Sequence, residues 1–366
     1  MSISNRQPPV TKQLRRRRQR QGEPPAFTKH SRRWLGWASA VMVLAVLVTG
    51  PGYLNLYILS IGFTLFNFMI LALSWNLIGG YGGQFSLGHA IFVGAGSYTV
   101  AVLLLHTGIP LYLAVPLSGI LAALIAALSG LLLLRLRSAY FSVGTLGVAL
   151  AGLSWMINWS YTGGTQELSL PPSATLDYST LYYASLSVLV LTIVCLVVLI
   201  HSSFGLRLMA VRDDEDAAAE LGVNSFLVKM TAFTVSAFFV GLAGALIALQ
   251  NVSIEPNSAF SLDWTVNMII MSVLGGLATT TGPLIGAVVI FTLQQQLQGY
   301  GSWSTLAIGL LLIVVIRLAP EGIWVLLRQG TQRLVQMTIT RRPPPLVKEE
   351  NPVFSLPGKK KGEFGT

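Results

Sequence analysis

Charge is what this sequence has least of. Lys, Arg, Asp and Glu make up 10% of its 366 residues, and hydrophobic residues make up 53%. A soluble domain carries about 25% charge, so a water-exposed globule is excluded. Several apolar runs exceed the roughly 18 residues that mark a bilayer-crossing helix. Cysteine is nearly absent too. Cys195 stands alone inside an apolar run, so there is no intrachain disulfide and no redox role is suggested. Catalytic signatures are missing: no HExxH, no GxSxG and no phosphate-binding GxxxxGK[ST]. The histidines, His30, His89, His106 and His201, have no metal-ligand spacing. No catalytic residue, metal site or cofactor of its own is therefore expected. No carboxylate falls in the middle of an apolar run. Ion-driven carriers ordinarily need buried ionisable groups, so the energy source is sought outside this chain.

The charge that is present is unevenly placed. Residues 1–33 hold ten Lys or Arg and one Glu, and residues 317–366 hold nine basic and four acidic residues. The stretch between them holds five basic and nine acidic residues. A pI of about 9.9 is thus a property of the ends. Cytoplasmic tails beside an anionic lipid leaflet explain it better than nucleic-acid binding. Residues 1–33, with RRRRQR and several Pro and Gly, read as a disordered basic tail, and 327–366 as a second tail. Trp34–Val48 looks like a signal peptide, but Thr49-Gly-Pro-Gly is a poor cleavage site, and a retained first span fits better.

The region 34–326 reads as an all-α polytopic membrane domain. About ten spans are expected, near 34–49, 54–75, 85–106, 111–134, 140–159, 182–201, 229–249, 264–278, 283–298 and 303–319. Both termini are then cytoplasmic. Arg135, Arg137, Arg207, Arg212 and Lys229 fall in inside loops or at the membrane edge. The outside loops 160–181 and 250–263 carry Glu167, Asp177, Glu255 and Asp263 and no Lys or Arg. This obeys the positive-inside rule.

Two glycine-rich interruptions recur, GGYGGQFSLGHA (79–90) and GGLATTTGPLIGA (275–287). Broken helices at membrane depth survive inside protein or beside a water-filled cavity. Paired breaks in two halves point to a transport path. On that reading Gly79, Gly80, Gly83, Gln84, Ser86, His89, Gly275 and Gly276 border the path. On the other reading both are cytoplasmic turns whose glycines allow close packing. The residues favour neither. His89 either faces the path or is a helix-end histidine satisfied by a neighbouring carbonyl. The remaining intramembrane polar residues are neutral: Asn67, Asn76, Asn158, Asn267 and Gln294–Gln296.

One polar island interrupts the apolar middle. Residues 204–229, within the loop 202–228, hold three of its five basic and five of its nine acidic residues. The island reads as a short helix with marked ends. Asp213 is the expected N-cap, with Asp216 three residues on. Asp214 and Glu215 complement the helix dipole, Ala217 to Ala219 favour helix, and Gly222 suits a left-handed stop. A capped helix between membrane spans is a part that another protein can grip.

Five stretches carry a family resemblance: WNLIGGYGGQFSLGHAIFVGAGSYT (75–99), LRLRSAYFSVGTLG (134–147), GLRLMAVRDDEDAAAELGVN (205–224), VLGGLATTTGPLIGA (273–287) and RLAPEGIW (317–324). The chain resembles the LivM-type permease subunits of branched-chain amino-acid ABC importers, in family order over about 54–326. The resemblance implies a bacterial plasma-membrane permease without an ATPase motif. Its implied partners are a second, LivH-type permease, two cytosolic ATP-binding subunits that hold the ATP, and an extracytoplasmic substrate-binding protein. It also implies that Arg212, Asp213, Asp214, Glu215, Asp216, Ala218 and Gly222 belong to a coupling helix docking on the ATPase. The loop at Gly163–Gly164 departs from the family pattern. A urea or amide permease of the same family is the nearest alternative. An ATP-independent carrier or channel leaves the capped helix unexplained.

Overall fold

The computed structural model describes residues 42, 45–53, 55–136, 138–172 and 175–297, with 299, 309–310 and 317 beyond them. Both tails, and most of the expected first and last spans, lie outside the described residues. Helix α1, Leu56–Asn76, starts at Asn55, whose side chain accepts from the Ile58 N–H at 2.9 Å. It runs on into a π-helical turn, Leu77–Tyr81. Residues 82–88 are not helical, and α2 spans Ala90–Val102. Helices α3 (Leu111–Leu133), α4 (Ser138–Asn158) and α5 (Tyr178–His201) follow. The polar island forms α6 (Ser203–Asp213) and α7 (Glu215–Glu220). Then come α8 (Ser225–Asn251), the single turn α9 (Pro256–Ala259), α10 (Leu262–Gly275) and α11 (Gly282–Leu297).

Among the described residues, seven helical segments are long and apolar enough to cross a membrane, α9 and α10 counting as one, and α11 is a shorter apolar helix. The expected spans from 54 to 298 each correspond to one of these. The second starts later than expected, at Ala90 rather than near residue 85. Counted the same way, the fifth to seventh start earlier than expected, at Tyr178, Ser225 and Leu262, the last two because Asn224 and Ser261 cap their helices there, and the seventh stops at Gly275 rather than near residue 278.

Helix α8 is the centre. Of its spanning window 78% is buried, against 22% for α4. It packs most extensively on α3 and α2. Lipid is as apolar as leucine, so helices associate here through close packing and hydrogen bonds rather than by escaping water. Small residues make that approach. A Cβ on Gly96 of α2 would overlap the Gly241 carbonyl of α8, and one on Gly244 would overlap the Val93 carbonyl. Ser97 adds a hydroxyl donated to the Gly244 carbonyl at 2.9 Å.

The loops sort to two ends. At one end, residues 79–83, 276–281 and Arg212 touch one another. At the other, the two-residue strands β1 (Leu168–Ser169) and β2 (Ser253–Ile254) pair antiparallel, and the Leu170 N–H reaches the Val252 carbonyl at 2.8 Å. The grouping matches the alternation expected from loop charge.

Gly241→Ala should therefore lower the stability of the detergent-solubilised protein by about 1–3 kcal/mol, since the new methyl meets Ala122 and the Ser118 carbonyl. Gly147→Ala, on the open face of α4 with nothing within 4 Å, should change it by no more than about 0.5 kcal/mol. Equal melting shifts for the two would contradict the packing account.

Candidate functional site

The two glycine-rich interruptions, some 200 residues apart in sequence, lie side by side. Asn76, the last residue of α1, joins them. Its Oδ1 accepts from the Ala278 N–H at 3.1 Å, and its Nδ2 donates to the Thr279 carbonyl at 2.9 Å. Tyr81 Oη and Thr280 Oγ1 are 3.2 Å apart. Ala278 sits at φ +54, in the left-handed region that costs a non-glycine residue roughly 1–2 kcal/mol. The Asn76 clamp on its N–H helps hold that backbone. Gly80 leaves room for the clamp, because a Cβ there would overlap the Asn76 amide. Gly275 lies against the Gly282 carbonyl, and Gly276, at φ +118, ends α10 with its N–H on the Ser272 carbonyl at 3.0 Å. Gly79 packs on the Trp75 ring.

Residues 82–89 are non-helical backbone held in protein, and side chains satisfy it. Trp75 Nε1 donates to the Ser86 carbonyl (2.9 Å), and Thr145 Oγ1 accepts from the Leu87 N–H (3.0 Å). Ser142 Oγ donates to the Phe85 carbonyl, and Thr265 Oγ1 accepts from the Ala90 N–H (2.8 Å). Every buried backbone group needs such a partner in a bilayer. Gln84 and Ser86 are buried, and Gln84 Oε1 has no hydrogen-bond partner. His89 is fully buried and meets two hydroxyls rather than the carbonyl expected. Ser236 Oγ gives its proton to the Ser74 carbonyl at 2.6 Å. It must therefore accept from His89 Nε2–H at 3.0 Å, and Nδ1 then accepts from Ser86 Oγ at 2.7 Å. One neutral tautomer satisfies the chain that ties α1, α2 and α8 together.

In the polar island the N-cap falls one residue later than the sequence suggests. Asp214, not Asp213, caps α7, accepting from the Asp216 and Ala217 N–H groups at 3.0 Å each. Asp213 instead closes α6 and pairs with Arg212 at 2.8 Å. The physical reason is that α6 runs through Asp213, leaving Asp214 as the extended residue between two helices. Gly222 does stop α7, at φ +82. Its N–H bonds the Ala219 carbonyl (2.9 Å), and the Val223 N–H reaches back to Ala218 (3.1 Å).

Two of the nominated residues point into the helical bundle rather than away from it. Arg212 lies over Gly83, where a Cβ would come within 2.5 Å of its Cγ, and donates to the Gly80 carbonyl at 3.4 Å. Gly83 itself has φ +66. Glu215 pairs with Lys229 of α8, whose side chain is 3% exposed against 52% for the glutamate. Asp213, Asp214, Asp216 and Glu220 are exposed, Ala218 is buried, and Leu221 is 84% exposed. The sequence reading missed Lys229 as a strut. The available signal was a lysine opening an apolar span just after an acidic cluster.

The nominated path residues do not line the cavity of about 350 Å³ that lies between α2, α3 and α4. A second cavity of about 260 Å³, between α1 and α11, is lined by Ser60, Thr64, Gln294 and Gln295 among others. Gln294 Nε2 donates to Asn267 Oδ1 at 2.9 Å.

A family model described as branched-chain amino acid transport system / permease component matches residues 57–316. The high-affinity branched-chain amino acid transport system permease protein LivM of Escherichia coli (strain K12) is 27% identical over 313 residues, covering 77% of this chain and 73% of that one. The probable branched-chain amino acid transport permease protein LivM of Methanocaldococcus jannaschii is 24% identical over 309 residues, 70% of this chain and 90% of its own. The fructose import permease protein FrcC of Rhizobium meliloti is 30% identical over 138 residues, 35% of this chain and 38% of that one. No solved structure matches the chain.

Removing Glu215 strands the buried Lys229 in protein, whereas removing the lysine leaves a carboxylate that water already reaches. Glu215→Ala should cost about 2 kcal/mol and Lys229→Met less than about 1 kcal/mol, with Glu215→Lys/Lys229→Glu recovering part of the loss. Melting of the purified protein reads this, and the reverse order would remove Lys229 as an anchor.

Proposed function

The chain belongs to the branched-chain amino acid transport permease family, and from that premise we propose how it works: as the membrane subunit of an ATP-driven importer for branched-chain or other neutral amino acids, coupled to its motor through α7. As a member of this family with seven helices apolar and long enough to cross a membrane among its described residues, it is a multi-pass inner-membrane protein. It pairs with a second, LivH-type permease, two cytosolic ATP-binding subunits and an extracytoplasmic binding protein. ATP is bound by those partners, and this chain needs no cofactor.

The observation that carries the mechanism is the way α7 is tied down. A six-residue helix has too little hydrogen bonding to be rigid alone. Here both ends are capped, and it sits between two ties. Glu215 holds Lys229 at the start of the most buried helix, and Arg212, just before the helix, holds Gly80 and covers Gly83. Asn76 then passes that contact to Ala278 and Thr279. A displacement of α7 by an ATPase reaches both glycine-rich interruptions through packed groups, which is the mechanical requirement for gating a path. The outward residues Asp213, Asp216, Glu220 and Leu221 form the face offered to the ATPase. Gly79–Ala90 and Gly275–Ala287 border the moving part of the path.

Uptake of labelled leucine, alanine and urea, with and without this gene and before and after ATP depletion, tests the reading. Loss of ATP-dependent leucine uptake is expected. Loss of urea uptake alone would replace the substrate, and flux surviving without ATP or ion gradients would make the protein a channel. Ala218→Pro removes the hydrogen bond from residue 218 to the Asp214 carbonyl, at about 3 kcal/mol. It should cut uptake at least tenfold while the protein still reaches the membrane. Normal uptake in that variant would exclude α7 as the coupling element.

A further inference from the structure

The cavity of about 260 Å³ between α1 and α11 has mixed walls, built as two facing helical stripes. Tyr57, Ser60, Thr64 and Phe68 recur every three or four residues on α1, and Phe291, Gln294 and Gln295 share one face of α11. The hydrogen-bonding side chains lie toward the end of the bundle opposite α7. There Gln295 Nε2 donates to Tyr57 Oη across the two helices at 3.3 Å. Gln294 Nε2 donates to Asn267 Oδ1, so each amide keeps a carbonyl oxygen and a second N–H for another partner. Among the described residues, no Asp, Glu, Lys, Arg or His lines this space. Lipid cannot hydrogen-bond such a stripe, and the space is large enough for several water molecules.

The floor is apolar. The rings of Phe68 and Phe291 meet edge to face with centroids 5.9 Å apart, and both residues are buried. Phe68 lies about 16 Å along α1 from Tyr57, near the middle of an apolar layer about 30 Å thick. Behind the rings, an apolar cluster separate from the main core holds Ala72, Met271, Leu274 and Ile290. One turn beyond Ala72 on the same face of α1 is Asn76, which clamps the second glycine-rich loop. A polar space, a dry seal and a loop reached from α7 thus stand in series along α1.

We propose that this cavity is the entrance vestibule of the solute path, and that the Phe68–Phe291 pair is the seal that parts when α7 moves. The vestibule takes a small hydrogen-bonding solute without net charge, such as an amino-acid zwitterion. The amide N–H groups of Gln294 and Gln295 suit its carboxylate. Their oxygens, with the Ser60 and Thr64 hydroxyls, suit its ammonium group. A net charge would lose hydration there and find no counter-ion. The floor excludes water and solute alike, as hydrophobic constrictions do. The proposal rests on the importer reading and adds to it the residues that meet the solute.

The test uses the complete importer in proteoliposomes, with ATP inside and binding protein outside, in a Cys195→Ala background that leaves this chain no other thiol. Thr64→Cys should react with a membrane-impermeant thiosulfonate added outside about tenfold faster than Leu124→Cys, which is exposed on α3. The adduct should then cut ATP-dependent leucine uptake about tenfold relative to the Cys195→Ala parent. Phe68→Ala should let leucine leak without ATP, with glutamate and lysine leaking about tenfold more slowly. Phe68→Leu, a smaller change, keeps the seal testable where Phe68→Ala fails to assemble. Reaction at Thr64→Cys no faster than at Leu124→Cys means that protein, such as the second permease, covers this face, and it overturns the vestibule. Fast reaction with undiminished uptake puts water there and the solute elsewhere, and overturns it too. Phe68 variants that retain leucine as wild type does overturn the seal, and equal leak of all three solutes overturns the choice of a net-neutral one. Absence of ATP-dependent leucine uptake in the wild type overturns the importer reading, and the solute path with it, whatever the thiols do.

Discussion

The carboxamide of Asn76, with the Tyr81–Thr280 contact beside it, ties the architecture's two breaks together. It gives one hydrogen bond to a backbone carbonyl and takes one from a backbone amide, and so acts as a piece of β-ladder between a helix end and a loop. Loops that interrupt helices at membrane depth expose amides and carbonyls that lipid cannot satisfy. The glycines around Asn76 follow from the clamp. Gly80 must leave space for the amide, and Gly275 must let the following turn fold back on the Gly282 carbonyl. Ala278 adopts a left-handed backbone with its N–H in the clamp.

The same logic runs through the rest of the molecule. Helix α8 is held by backbone-to-backbone approach at Gly241 and Gly244, and by the hydroxyl–imidazole chain from Ser74 to Ser86. These are short, directional and few. They define one arrangement of α1, α2 and α8, which is what a device that transmits movement requires. By contrast α4, the least buried of the described spans, borders the 350 Å³ cavity.

Much of this was readable in advance, and the misses are instructive. The spans between 54 and 298 were legible because the bilayer selects long apolar runs whatever their neighbours. The start of α2 was not, because residues 85–89 are apolar enough to pass as helix. What stops them is a set of side-chain partners, Trp75, Thr145 and Ser142, from other helices. The cap of α7 was misplaced by one residue for a similar reason. Asp213 and Asp214 are equally good caps, and the length of α6 decides between them. Gly222 was legible because a left-handed stop is a local property of the backbone.

Composition decides that the chain crosses a membrane many times and that its loop charge alternates from side to side, since transfer of apolar and charged groups depends on the residues alone. Local pattern decides that a capped helix interrupts the spans, since capping is settled within a few residues. That Arg212 and Glu215 turn inward, that Asn76 binds two residues some 200 positions away, and that Tyr98 lines a cavity are decided only in the folded chain. Each depends on distances between helices, and those distances are set by glycine contacts whose partners lie far away in sequence.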